Sequence, residues 1–161
     1  MDEVILSLMR VAIAVARRAR ENGNHPFGAL LVDEVGNILL EAENTVVTGR
    51  GGAGRDCTGH AETNLMRMAS RQFEPEFLAR CTLYTSTEPC PMCSGAIFWG
   101  NVRLVVYGLS EEGLYAMIGA DDEEALYLPC RDVFGKGRKH IEVIGPLLED
   151  EARQVHEGFW N

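Results

Sequence analysis

The sequence predicts an α/β fold, a mixed sheet with helices on both faces. Two observations carry this. A pair of strand-like runs meets at Gly36-Asn37, and later strand-like runs alternate with helical periodicity. A hairpin followed by βα units gives a sheet that is neither wholly parallel nor wholly antiparallel. At 161 residues, with no repeat, linker or low-complexity tract, the chain reads as one domain over 1–161.

The elements follow in order. Val4, Ile5, Leu8, Val11, Ala12 and Val15 recur at helical spacing and predict a first helix ending near Asn22-Gly23-Asn24. Phe27 to Val32 is a short buried strand, and Ile38 to Glu43 its hairpin partner. Residues 44–58 form a loop, because Gly49, Gly51, Gly52 and Gly54 hold regular structure poorly. It lacks the Lys-Ser/Thr ending of a phosphate-binding loop and is expected to be a mobile lid or a connector. A helix from about Gly59 to Arg71 precedes a strand over 82–86 and a helix running to about Trp99. A strand over 102–107, a helix over 111–118, an irregular stretch around 119–139, a strand over 141–144 and a helix over 148–159 complete the chain.

Composition narrows the function. A net charge of −9, from 15 basic against 24 acidic residues, opposes a broad nucleic-acid grip, which needs cations to displace phosphate counterions. A small neutral substrate fits better. Five cysteines, an odd number, do not make a disulfide framework, so Cys57, Cys81 and Cys130 read as reduced thiols in a cytoplasmic protein. Arg17, Arg18 and Arg20 follow the apolar N-terminal stretch, the reverse of a signal peptide's order, and no apolar run is long enough to cross a bilayer.

The chemistry lies in His60-Ala61-Glu62 and Pro89-Cys90-Pro91-Met92-Cys93. His60, Cys90 and Cys93 are three zinc ligands, one ion per chain. Cys90 and Cys93, three apart at a helix start that favours thiolates, can bite one ion. A structural zinc is closed by four protein ligands, whereas a catalytic one keeps a position for water. Glu62, two residues from His60, is awkwardly placed for a fourth ligand but suits a carboxylate that moves protons beside the metal. A closed structural site would instead recruit Cys57, His140 or His156. Cys-x-x-Cys alone is a weak signal; with His-x-Glu upstream it is the pattern of zinc deaminases.

These motifs resemble the cytidine-deaminase-like superfamily, most closely its guanine deaminase branch. His25-Pro26-Phe27-Gly28-Ala29, Asn44, Thr58 to Glu62, Leu83 to Cys93 and Ala96-Ile97-Phe98-Trp99 carry the resemblance. It implies a three-layer α/β/α sandwich around a five-stranded mixed sheet, commonly as a homodimer. It also implies deamination of a free nucleobase or nucleoside, guanine or a guanine-like purine, releasing ammonia. Asn44 would orient the base, Phe27 and Trp99 would pack against it, and Asp122 (or its neighbour Asp121) would assist proton transfer. A C-terminal aromatic, Phe159 or Trp160, would close over the substrate. Other readings are a tRNA adenosine deaminase, a cytosine-type deaminase, or a non-enzymatic zinc-stabilised binding module. The tail from Leu147 to Asn161, with one arginine against four acidic residues, opposes the tRNA reading.

Overall fold

The structure is a computed structural model that describes residues 2–119, 123 and 125–160. Its centre is a five-stranded sheet in the order β2-β1-β3-β4-β5. The hairpin β1 (Gly28–Val32) and β2 (Ile38–Glu43) is antiparallel, and β1 also runs antiparallel to β3 (Thr82–Thr87). Then β3, β4 (Leu104–Leu109) and β5 (Glu142–Ile144) lie parallel, the mixed sheet expected from a hairpin followed by βα crossovers.

Side chains alternate across the sheet and build two cores. Ala29, Leu31, Leu83, Val105 and Tyr107 face α2 (Ala61–Gln72), α4 (Pro91–Gly100) and the short α6 (Cys130–Gly135). Leu30, Val32, Tyr84 and Val106 face α1 (Glu3–Glu21) and α7 (Glu149–Gln154). This is the three-layer α/β/α sandwich. Asp2 caps α1 by accepting from the Val4 N–H at 2.9 Å. Gly28 is needed where α1 crosses β1, because a Cβ there would strike the backbone of Ala12, Val15 and Ala16.

Several boundaries differ from expectation, each for a local reason. The fourth strand spans Leu104–Leu109 rather than 102–107, because Asn101 takes a left-handed conformation (φ 74°) to end α4 and delays the strand. Two short helices, α3 (Pro75–Leu78) and α6, fall where no helix is expected. Each has six residues or fewer, too few for an apolar period to register. The last helix stops at Gln154, and turns carry the chain onward to Phe159. The remaining α5 spans Glu111–Ile118.

Candidate active site

Both metal-motif helices start in the same manner. His60 and Cys90 occupy the positions just before α2 and α4, in extended conformation, and neither side chain caps its own helix. That frees both to turn toward one point. Pro91 opens α4, and Cys93 lies one turn in, fully buried.

His60 Nδ1 stands 3.5 Å from Cys90 Sγ and 3.6 Å from Cys93 Sγ, and the three ligand atoms all lie within 4.8 Å of one another. Tetrahedral zinc with ordinary Zn–S and Zn–N bonds separates sulfur from nitrogen by about 3.6 Å. The group therefore fits one zinc ion, through Nδ1 of the histidine. Hydrogen bonding from Cys93, aided by His60, pulls the Cys90 thiol down to about 4. Sharing that proton with Cys90, and burial, push Cys93 up, and Thr63 Oγ1 stands 3.2 Å from its sulfur. A bound cation holds both sulfurs as thiolates. Cys57, His140 and His156 are not part of the group. His156 is instead committed to Trp160, whose Nε1–H donates to His156 Nδ1 at 3.0 Å. Among the described residues the cluster holds three ligands, the count of an open zinc site.

Glu62 lies in the first turn of α2, buried, with its carboxyl pushed up to about 7 by burial and by the charge of Cys90. It lines, with His60 and Cys90, a cavity of about 920 Å³. That is ample for a nucleoside-sized ligand. The cavity opens where β3 and β4 end, the usual place for ligands in α/β sheets.

The structure treats the other expected residues unequally. Asn44 and Phe27 both line the cavity. Asn44 is buried, and its Oδ1 accepts from the Val46 N–H at 2.9 Å. It thus shapes the turn as well as the wall. Phe27 stands edge-on to His156, with ring centroids 5.3 Å apart. Of the C-terminal aromatics Trp160 lines the cavity, whereas Phe159 packs against His25 and beneath the Arg20 guanidinium.

Trp99 corrects its expectation: it is 79% exposed on the outer side of α4 and does not line the cavity. Six residues at 100° each carry it well round the helix from Cys93. It packs against Phe98, with Lys139 Nζ 5.7 Å from its ring. Asp121 and Asp122 lie outside the described residues.

The glycine-arginine loop is more structured than a plain connector. It makes a 3-10 turn at Arg50–Gly52 and supplies Arg55, Asp56 and Cys57 to the cavity wall. Asn24 Oδ1 accepts from the Val47 and Thr48 N–H groups, and Asn64 Nδ2 donates to Glu43 O and Thr45 Oγ1. The loop is thereby tied to α1's end and to α2.

Two carboxyls went unread in the sequence. Glu88 is buried and accepts from the Glu111 N–H at 2.9 Å and the Cys130 N–H at 2.8 Å, joining β3, α5 and α6 beneath the site. Glu111 is buried too, and accepts from the Leu128 N–H at 2.7 Å. Only the Glu88-Pro89-Cys90 adjacency hinted at either, and nothing in the local sequence pointed to Glu111.

Comparison with known proteins agrees with this geometry. Residues 2–109 match the family model described as the cytidine and deoxycytidylate deaminase zinc-binding region. A probable cytosine deaminase of Schizosaccharomyces pombe is 44% identical over 162 residues, covering 100% of this chain and 95% of that protein. A guanine deaminase of Bacillus subtilis is 42% identical over 97 residues, covering 60% of this chain and 58% of that protein. The solved guanine deaminase of Nitrosomonas europaea superposes with a TM-score of 0.74 at 27% identity, covering 91% of this chain and 79% of that one. With its His/Cys/Cys group assembled and the family model matched across two thirds of its length, this chain belongs to the cytidine and deoxycytidylate deaminase family of zinc-dependent deaminases.

Proposed function

We propose that the chain hydrolytically deaminates a small amino-bearing heterocycle, a free nucleobase or nucleoside, with cytosine the leading candidate and guanine the second. In this reaction water adds at the ring carbon that bears the amino group, ammonia departs, and a carbonyl remains. The observation that carries the reading is the buried Glu62 beside a three-ligand zinc group at the wall of one cavity.

Zinc held by His60, Cys90 and Cys93 would make water a nucleophile at neutral pH. Glu62 does the proton work: it takes a proton from the attacking water and passes it to the departing nitrogen. A buried carboxyl beside the metal ligands suits both halves of that task. Asn44, its Oδ1 engaged by Val46, has its side-chain NH₂ to offer a ring acceptor. Phe27 and Trp160 supply apolar walls for a flat ring. Asp122 stays a candidate second proton carrier on the family resemblance alone.

Cytosine leads because the 44% identical relative, matched over 95% of its length, is described as a probable cytosine deaminase. Guanine follows because guanine deaminases are close in structure, and a related chain was solved in complex with 8-azaguanine at a TM-score of 0.74. The tRNA reading is weakened by the −9 charge. We also read the active form as one 1–161 domain, paired in a homodimer within a reducing compartment. The sequence of α4 carries no charged residue, and its Trp99 projects into solvent, as a helix awaiting a second copy would. No disulfide forms among the five cysteines, and no helix of the described residues is long and apolar enough to cross a membrane.

The test is an ammonia-release assay on zinc-loaded protein with cytosine, cytidine, guanine, guanosine, adenine and a tRNA anticodon stem-loop. Turnover of cytosine or guanine is the expected result. Release from the stem-loop alone would overturn the substrate class.

A further inference from the structure

One residue of the cavity wall carries an unexplained polar atom. Glu111 is only 3% exposed, yet it lines the cavity that holds Glu62 and Cys90. Its Oε1 accepts from the Leu128 N–H at 2.7 Å, and its backbone N–H donates to Glu88. Its Oε2 is buried without a hydrogen-bond partner among the described residues. A buried carboxyl oxygen left unpaired is costly, so a chain keeps one where a partner arrives from elsewhere. Thr87, another residue of the cavity wall, has a second such atom in its Oγ1. Thr87 ends β3 and pairs with Leu109, which ends β4, and Glu111 opens α5 two residues later, so both residues lie at the same edge of the sheet.

We propose that Glu111 is a second anchor for the substrate, its Oε2 accepting a hydrogen bond from an N–H or O–H donor away from the departing amino group. The inference rests on the deaminase reading above. Two sources offer such a donor: a ring N–H of a free base, or a sugar hydroxyl of a nucleoside. Glu111, Glu62 and Cys90 line the same cavity, which sets the anchor on the wall of the reacting centre. Burial, foremost, and the charges of Glu88 and Cys90 hold the Glu111 carboxyl up at about 7, and a neutral donor on the ligand would ease that desolvation.

Glu111→Gln separates a substrate contact from a structural one. The amide oxygen would keep the bond from Leu128, which turns the amide NH₂ to the place of Oε2. Melting temperature and zinc content should then match the wild type, while the face toward the ligand changes from acceptor to donor. KM for the preferred substrate is expected to rise about tenfold to a hundredfold, with kcat changing far less. Glu111→Ala should raise KM similarly but also lower the melting temperature. A rise on free cytosine or guanine identifies the ring N–H as the donor. A rise on cytidine or guanosine alone identifies the sugar hydroxyl. Unchanged KM for Glu111→Gln on every substrate the wild type turns over would overturn the inference and leave the deaminase reading standing. A wild type that neither turns over nor binds these compounds, by calorimetry, would refute both.

Discussion

Glu62→Gln is expected to fold, to hold one zinc per chain, and to release ammonia about 10²–10⁴-fold more slowly than the wild type. The amide keeps the shape of the buried side chain but can neither accept nor return the proton. A second consequence follows from burial in the metal-free chain. There the folded protein holds the Glu62 proton up to about 7, against an ordinary value of 4.5. The native state thus binds more protons than the unfolded chain between those values, and stability falls as pH rises through that window. The loss above pH 7 is on the order of a few kcal/mol. Glutamine cannot ionise, so the metal-free variant should melt no lower than the wild type at pH 8 and should lack this slope. Near-normal turnover would remove Glu62 from the proton path, and a lower melting temperature at pH 8 would contradict the buried-carboxyl account.

Cys93→Ala is expected to have the other large effect. The sulfur is fully buried, stands 3.6 Å from His60 Nδ1, and lies one helical turn from Cys90. Alanine leaves two ligands and a dry gap, where the closed packing of α4 gives a replacement water poor access. Zinc content should fall well below one per chain, and ammonia release by more than the roughly hundredfold typical of disturbing a ligand's supporting group. Elemental analysis and the ammonia assay read both quantities. Full zinc content with normal turnover would move the metal to other residues.

The metal group was legible because its geometry is local. Cys90 and Cys93 share one turn of α4, and His60 and Glu62 share the start of α2, so spacing alone fixes most of their relation. The β1–β2 hairpin was legible for the same reason, with Gly36 at φ 95° making the turn. Trp99 was misjudged, although helical arithmetic from Cys93 already turned it outward. The helix α6 and the anchor Glu111 depend on which strand ends meet, and the Glu88 hydrogen bonds that join them cross 23 and 42 residues of sequence. No local pattern records such a pairing. Substrate choice was the least legible feature, because the similar proteins include a probable cytosine deaminase, a guanine deaminase and a tRNA-specific adenosine deaminase.

Zinc-edge X-ray absorption on the purified, zinc-loaded wild type tests the central claim most directly. The account predicts two sulfur neighbours near 2.3 Å, one imidazole nitrogen and one exchangeable oxygen. A shell filled by a fourth protein side chain would contradict it.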